Sequence, residues 1–312
     1  MAWATRTAFD AARVPHPSSI VRKPGSTALG CLPRLGNVAC ELYYVAMASV
    51  GILDIVPLLA LVVIALIRPR GAERADVVFW LSLSVALLCA LIELSHLNDG
   101  GWQTGFSVAL WISIAASLGV FILVSLVWPN ARRLQPLLMP FLVLLGAIAL
   151  VWVRAPERPI ADFSSASWLG VHIFTSILTY AVLTIAAIAG LAVVLQERAL
   201  KRKKNVLFNL NLPAVVDAEA LQFRLLVLSE LVLGAGLVTG IAVQFIEDGR
   251  FIDLDHKSLL SILAFVVIGA LLYAHRRTGV RGRRAASYVL LAYLLLTLAY
   301  PGVKFVTDVL AA

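Results

Sequence analysis

The sequence predicts an all-α, polytopic transmembrane helix bundle of about eight spans. Three observations carry that expectation. The chain is 61% hydrophobic and 14% charged, against roughly 45–50% and 25% in a soluble domain. Apolar runs of about twenty residues recur along nearly its whole length, enough to cross a bilayer core. Lys and Arg sit in short clusters between those runs, as membrane topology requires. The same clustering excludes nucleic acid as a partner, because the formal net charge of +8 forms no continuous phosphate-binding face. Membrane lipid is the partner such a chain needs, and 312 residues of this kind leave no room for a separate soluble catalytic domain.

Residues 1–46 differ from the rest of the chain. They are rich in Pro, Gly, Ser and Arg, lack apolar periodicity and read as a disordered tail. No apolar stretch precedes a small-residue cleavage site, so they do not read as a signal peptide. Residues 47–312 form the transmembrane domain, with spans expected at Ala48–Ile67, Val77–Leu97, Phe106–Trp128, Leu137–Val153, Trp168–Leu195, Leu225–Phe245, Leu259–Tyr273 and Ser287–Val306. The fourth connection (RAPERPIADFSSAS) has room for an irregular segment, and the fifth (196–224) for an amphipathic stretch around DAEALQFRLL.

Charge sets the orientation. Sixteen basic residues fall on one side: Arg68, Arg70, Arg74, Arg132, Arg133, Arg198, the run 201–204, Arg224, Arg276, Arg277, Arg281, Arg283 and Arg284. Five fall on the other: Arg154, Arg158, Arg250, Lys257 and Lys304. The positive-inside rule puts the sixteen in the cytoplasm of a bacterial cell, so both termini lie outside the inner membrane. The basic tail strains this arrangement, and a start at Met47 would remove the strain; residues 1–46 therefore read either as an exported tail or as an over-extended start. Cys89 lies within a span as a small core residue. Cys31 and Cys40 would pair only if the tail reached an oxidising space.

With this topology three histidines reach one level, near the outer face. His96 ends the second span, His172 lies four residues after Trp168, about 6 Å into the fifth span at ~1.5 Å per residue, and His256 precedes the seventh. His275 lies at the opposite end and His16 in the tail. Haem iron takes two axial ligands on opposite faces of a flat apolar ring, and neutral imidazoles on facing helices supply them. Lys257, Arg154, Arg158 and Arg250 could meet the propionates. Glu93, one turn before His96, could hydrogen-bond a ligating imidazole. A boundary histidine is more often an interfacial residue than a ligand; three at one depth among five in the chain favour a shared site. Zinc is disfavoured because no thiolate or HxxxH spacing lies at that level. Asp54, Glu93 and Glu230 are ionisable groups inside spans, and Gly234, Gly236 and Gly240 supply a GxxxG spacing read as close helix packing.

The strings WLGVHIFTSILTYAVLTIAAIAGLAVVLQERALKRKK, LPAVVDAEALQFRLL, DHKSLLSILAFVVIGALLYAHRRTGVRGRRAA and AYPGVKFV, in this order and spacing, resemble the cytochrome c assembly family. That family comprises CcsA-type haem-handling membrane proteins and their HemX-like and YpjD-like relatives. The resemblance covers about Ser167 to the C-terminus well and residues 47–166 more weakly. It implies that His172, in the WxxxHI-type string, is an outer-face haem ligand, that His256 and Lys257 match the His-Lys pair of the HemX-like and YpjD-like branch, and that His96 matches an early-span histidine. Two departures bear on mechanism. The stretch FIEDGRFIDLDHKS lacks the tryptophans of the WWD motif that presents haem to apocytochrome, and the C-terminal histidine of haem-exporting members is missing. The expectation is an accessory protein without enzymatic turnover that binds haem b through two of His96, His172 and His256, alongside other cytochrome-maturation or haem-pathway membrane proteins. A small-solute or ion transporter, and a regulatory or structural subunit without haem, remain the alternatives.

Overall fold

The computed structural model describes residues 52–66, 72–97, 105–153, 167–202, 212–248, 256–302 and 305. The tail 1–46, with Cys31 and Cys40, lies outside the described residues, as do the side chains of Asp54, His256 and Lys257. Eight α-helices are described: α1 (Ile52–Leu66), α2 (Ala72–Leu97), α3 (Phe106–Val127), α4 (Gln135–Val151), α5 (Ser167–Arg202), α6 (Val215–Asp248), α7 (His256–Thr278) and α8 (Gly282–Thr297). A 3-10 turn, Pro129–Leu134, joins α3 to α4, and a π-helical turn, Leu298–Gly302, follows α8. Seven helices are long and apolar enough to cross a membrane, while α1 contributes a shorter apolar stretch, Ile55–Leu66. The described part is thus all-helical, as the composition requires. Lipid leaves no water for exposed backbone, so a helix must satisfy its own amides.

Consecutive helices are neighbours, and two rings close: α1 packs on α4, and α5 packs on α8. The rings join chiefly where α5 meets α3, which makes α5 the central post. Its sequence explains that position. The stretch TIAAIAGLAVV offers small residues on every side, and in lipid helices associate by close van der Waals packing rather than by escape from water. Gly190 marks the closest approach: a Cβ there would stand 3.4 Å from the Gln222 amide of α6 and 3.5 Å from the Ala286 Cα of α8. By contrast α7 is peripheral, with Leu259, Leu263, Val266 and Tyr273 exposed.

Several helices extend past their expected spans, α5 and α6 furthest at one end. α5 runs 36 residues, about 54 Å at ~1.5 Å per residue, because QERALKR consists of good helix formers. α6 starts at Val215 rather than Leu225, absorbing the stretch DAEALQFRLL. Buried Ala218, Leu221, Gln222, Leu225, Leu226, Ser229 and Leu233 share one helical stripe, so the apolar period runs from the connection into the span without a break. Pro213 closes off the preceding chain; its carbonyl accepts from the Gln196 side chain, and the Ala218 amide donates to the Ala214 carbonyl at 2.9 Å.

Side-chain contacts pin one end of the bundle. Arg132 pairs with Asp76 at 2.8 Å and lies over Trp80, 5.0 Å from the ring centroid. Asn130 donates to Asp217 at 3.1 Å, and Arg224 covers Trp128. Glu219 accepts from the Gly282 amide at 2.6 Å and Glu197 from the Arg283 amide at 3.2 Å, so two carboxylates from α5 and α6 cap the start of α8. The start of α2, the ends of α3, α5 and α7, and the starts of α6 and α8 therefore lie at one end, and the described basic residues of the expected cytoplasmic group are gathered there.

Candidate functional site

His172 lies at the opposite end, one turn after the exposed Trp168. Its ring is half-buried in the seam where α5 and α6 pack most extensively. Nδ1 lies 3.0 Å from the Gly236 carbonyl oxygen and 3.4 Å from Thr239 Oγ1. The Thr239 hydroxyl itself donates to the same carbonyl at 3.0 Å. Gly240 forms the floor: a Cβ there would stand 3.0 Å from Cε1, 3.3 Å from Nδ1 and 3.8 Å from Nε2 of the ring. One turn further along α5, Thr175 packs on Gly236 and turns its hydroxyl back to the Val171 and His172 carbonyls, both at 3.0 Å. The GxxxG spacing does bring helices close, and what fits against it is an imidazole.

An aromatic group occupies the same end. Phe106 at the start of α3, Trp152 after α4 and Phe305 beyond the π-helical turn stand with centroids 6.0, 5.6 and 5.2 Å apart. Trp152 thus packs on two other rings.

The other expected residues are placed differently. His96 is exposed at the end of α2, whereas Glu93, three residues earlier, is 2% exposed. They lie one turn apart, the acid facing inward and the imidazole outward. His256 opens α7, but its side chain and that of Lys257 fall outside the described residues. Among the described residues no three His, Cys, Asp or Glu side chains converge as a metal site. Glu230, midway along α6, is half-buried against α7. One carboxylate oxygen lies 3.0 Å from where a Gly269 Cβ would stand, and the other is buried without a hydrogen-bond partner. His275 stacks on Phe223 at 4.2 Å at the basic end, with Nδ1 2.8 Å from the Val280 carbonyl.

The family model for the cytochrome C assembly protein matches residues 72–311. The chain belongs to that family. It is 50% identical over 244 residues to the 28.8 kDa protein of the nifR3-like 5′ region of Azospirillum brasilense, covering 78% of this chain and 90% of that one. It is 28% identical over 256 residues to inner membrane protein YpjD of Escherichia coli K12, covering 81% and 94%. It is 23% identical over 186 residues to cytochrome c biogenesis protein CcsA of Parasynechococcus marenigrum, covering 51% of this chain and 61% of that one. No solved structure matches the chain. The family match spans all the long helices, so this is a multi-span inner-membrane protein of the cytochrome c assembly family, with YpjD-like relatives matched over most of their length.

The GxxxG spacing is legible in the sequence as a close helix contact, but Thr239 and the seating of His172 against that contact are not. Gly236 and Gly240 are four residues apart near the end of α6 remote from the basic cluster, on a helix antiparallel to the one bearing the histidine.

Proposed function

We propose that this protein is a haem-binding accessory protein of the inner membrane, serving haem handling in cytochrome c assembly. The carrying observation is His172: an imidazole at the end of the bundle remote from the basic cluster, half-buried between two long helices and held through one ring nitrogen, as ligating histidines commonly are. Of the residues expected to hold the group, His172 fits by its geometry; it would supply one ligating nitrogen, His96 or His256 would supply a second, and Lys257 would offer a charge to a propionate. When bound, haem b supplies an iron centre whose ligands set its affinity and potential. The chain's own residues bind it, orient it and shield it from water. Both termini and this end face outward, the sixteen basic residues facing the cytoplasm. Family membership supports the reading, and the absence of tryptophan in residues 245–258 argues against presenting haem to an apocytochrome. The role is therefore binding or regulation without turnover, beside other membrane proteins of the haem pathway.

A pyridine haemochrome assay on detergent-purified protein tests this. Wild type should carry haem b, and His172→Ala should lower its occupancy about tenfold or more, with a comparable loss in one of His96→Ala and His256→Ala. Wild type without haem, or three variants equal to wild type, would overturn it. The buried carboxyl of Glu230 favours a second reading, a small-solute or ion transporter. Solute-dependent flux in a protein that lacks a Soret band would decide for it.

A further inference from the structure

We infer that the Gly236–Gly240 segment of α6 is a positioning seat that fixes the tautomer of His172 and leaves Nε2 as its ligating nitrogen; this rests on the haem reading above for its purpose, but not for its geometry. A carbonyl oxygen can only accept. Nδ1 lies 3.0 Å from the Gly236 carbonyl, so Nδ1 carries the proton, and a neutral ring then has its lone pair on Nε2. Thr239 Oγ1 lies 3.4 Å from Nδ1 and 3.0 Å from the same carbonyl; with its proton on that carbonyl it offers Nδ1 a lone pair and is compatible with the same tautomer. A donor hydrogen bond of this kind orients a ligating ring and raises the basicity of its other nitrogen.

Gly240 makes the arrangement possible. Any Cβ at this position would stand 3.0 Å from Cε1, tighter than ordinary carbon–carbon contact, so the ring must shift to admit it. His172 has no slack in the other direction, since its Nδ1 is tethered to the turn just before Gly240. Alanine at 240 therefore makes the imidazole give by a few tenths of an ångström against its tether, straining its contact with the Gly236 carbonyl. The Gly170 position supplies a matched comparison. It lies on α5, two residues from His172, and a Cβ there meets nothing within 4 Å.

The test uses full-length, detergent-solubilised protein with 15N-labelled histidine, haem-free. Ring nitrogen spectra, with His172 assigned by its loss in His172→Ala, should show Nδ1 protonated and Nε2 unprotonated in wild type and in Gly170→Ala. Gly240→Ala should give mixed or reversed tautomers while retaining the helical content and melting behaviour of a folded protein. On addition of haem, occupancy should fall about tenfold or more in Gly240→Ala and match wild type in Gly170→Ala. A Gly240→Ala protein with the wild-type tautomer and wild-type occupancy would overturn the inference while leaving His172 as a ligand. A wild type that takes up no haem would defeat the functional reading instead, and the haem-free spectrum would still decide the tautomer.

Discussion

At the scale of residues, burial and partner decide what each polar group does. Position after Trp168 is enough to single out His172 in the sequence, but its surroundings are not legible there. Which residues of α6 face it depends on the rotation and offset of two helices, and a one-dimensional pattern sets neither. Glu93 and His96 illustrate the converse. Their spacing places them on one flank, yet one is buried and the other exposed, since three residues also turn a helix by about 60° short of a full turn. Arg132 joins an exposed ion pair to aromatic contacts, and these should not weigh equally. Its partner Asp76 has a side chain 66% exposed, where a pair contributes at most ~1 kcal/mol. The guanidinium over Trp80 and Phe79 is worth about 1–2 kcal/mol when shielded from water. Arg132→Ala should therefore lower the melting temperature in detergent more than Asp76→Ala does. Equal shifts would mean that the ion pair accounts for the whole effect.

At the scale of elements, hydropathy locates the spans well and their ends poorly. The core of each helix is announced by its apolar run. The ends depend on residues such as QERALKR and DAEALQF, which suit either a loop or a helix projecting beyond the lipid, and here the helix wins because one buried stripe continues through α6. The start of α8 shows how a helix end is fixed instead by side chains from elsewhere. Gly279 and Gly282 both have positive φ, 66° and 64°, a conformation that costs another residue about 1–2 kcal/mol. Gly279 faces open space, whereas a Cβ at Gly282 would run into the Glu197 carboxylate that caps the helix. Gly279→Ala should cost about that amount in an unfolding titration, and Gly282→Ala distinctly more, because it also displaces a cap worth ~1 kcal/mol. Similar losses in the two variants would rule out the capping role of Glu197.

At the scale of the whole molecule, two four-helix rings meet at α5, and chemistry is separated by end. Among the described residues, the basic residues and carboxylate caps gather at one end; the His172 seat and the Phe106, Trp152 and Phe305 rings gather at the other. The alternation of loop charge makes this separation legible in the sequence, since each charged cluster must return to the same side with every second span. The direction of the molecule in the membrane follows from the positive-inside rule and is open to a direct check. On a background with the native cysteines replaced, a membrane-impermeant maleimide added to intact cells should label Ile246→Cys and spare Lys201→Cys. The reverse pattern would put His172 in the cytoplasm and end the outer-face account.

The most direct test of the central claim is the optical spectrum of the purified protein, reduced and oxidised, compared with that of His172→Ala. A low-spin, six-coordinate b-type spectrum in wild type that is lost or turned high-spin in the variant is the predicted result. A wild-type protein that shows no Soret band even after haem is added, or a spectrum that survives the loss of His172 unchanged, would contradict it.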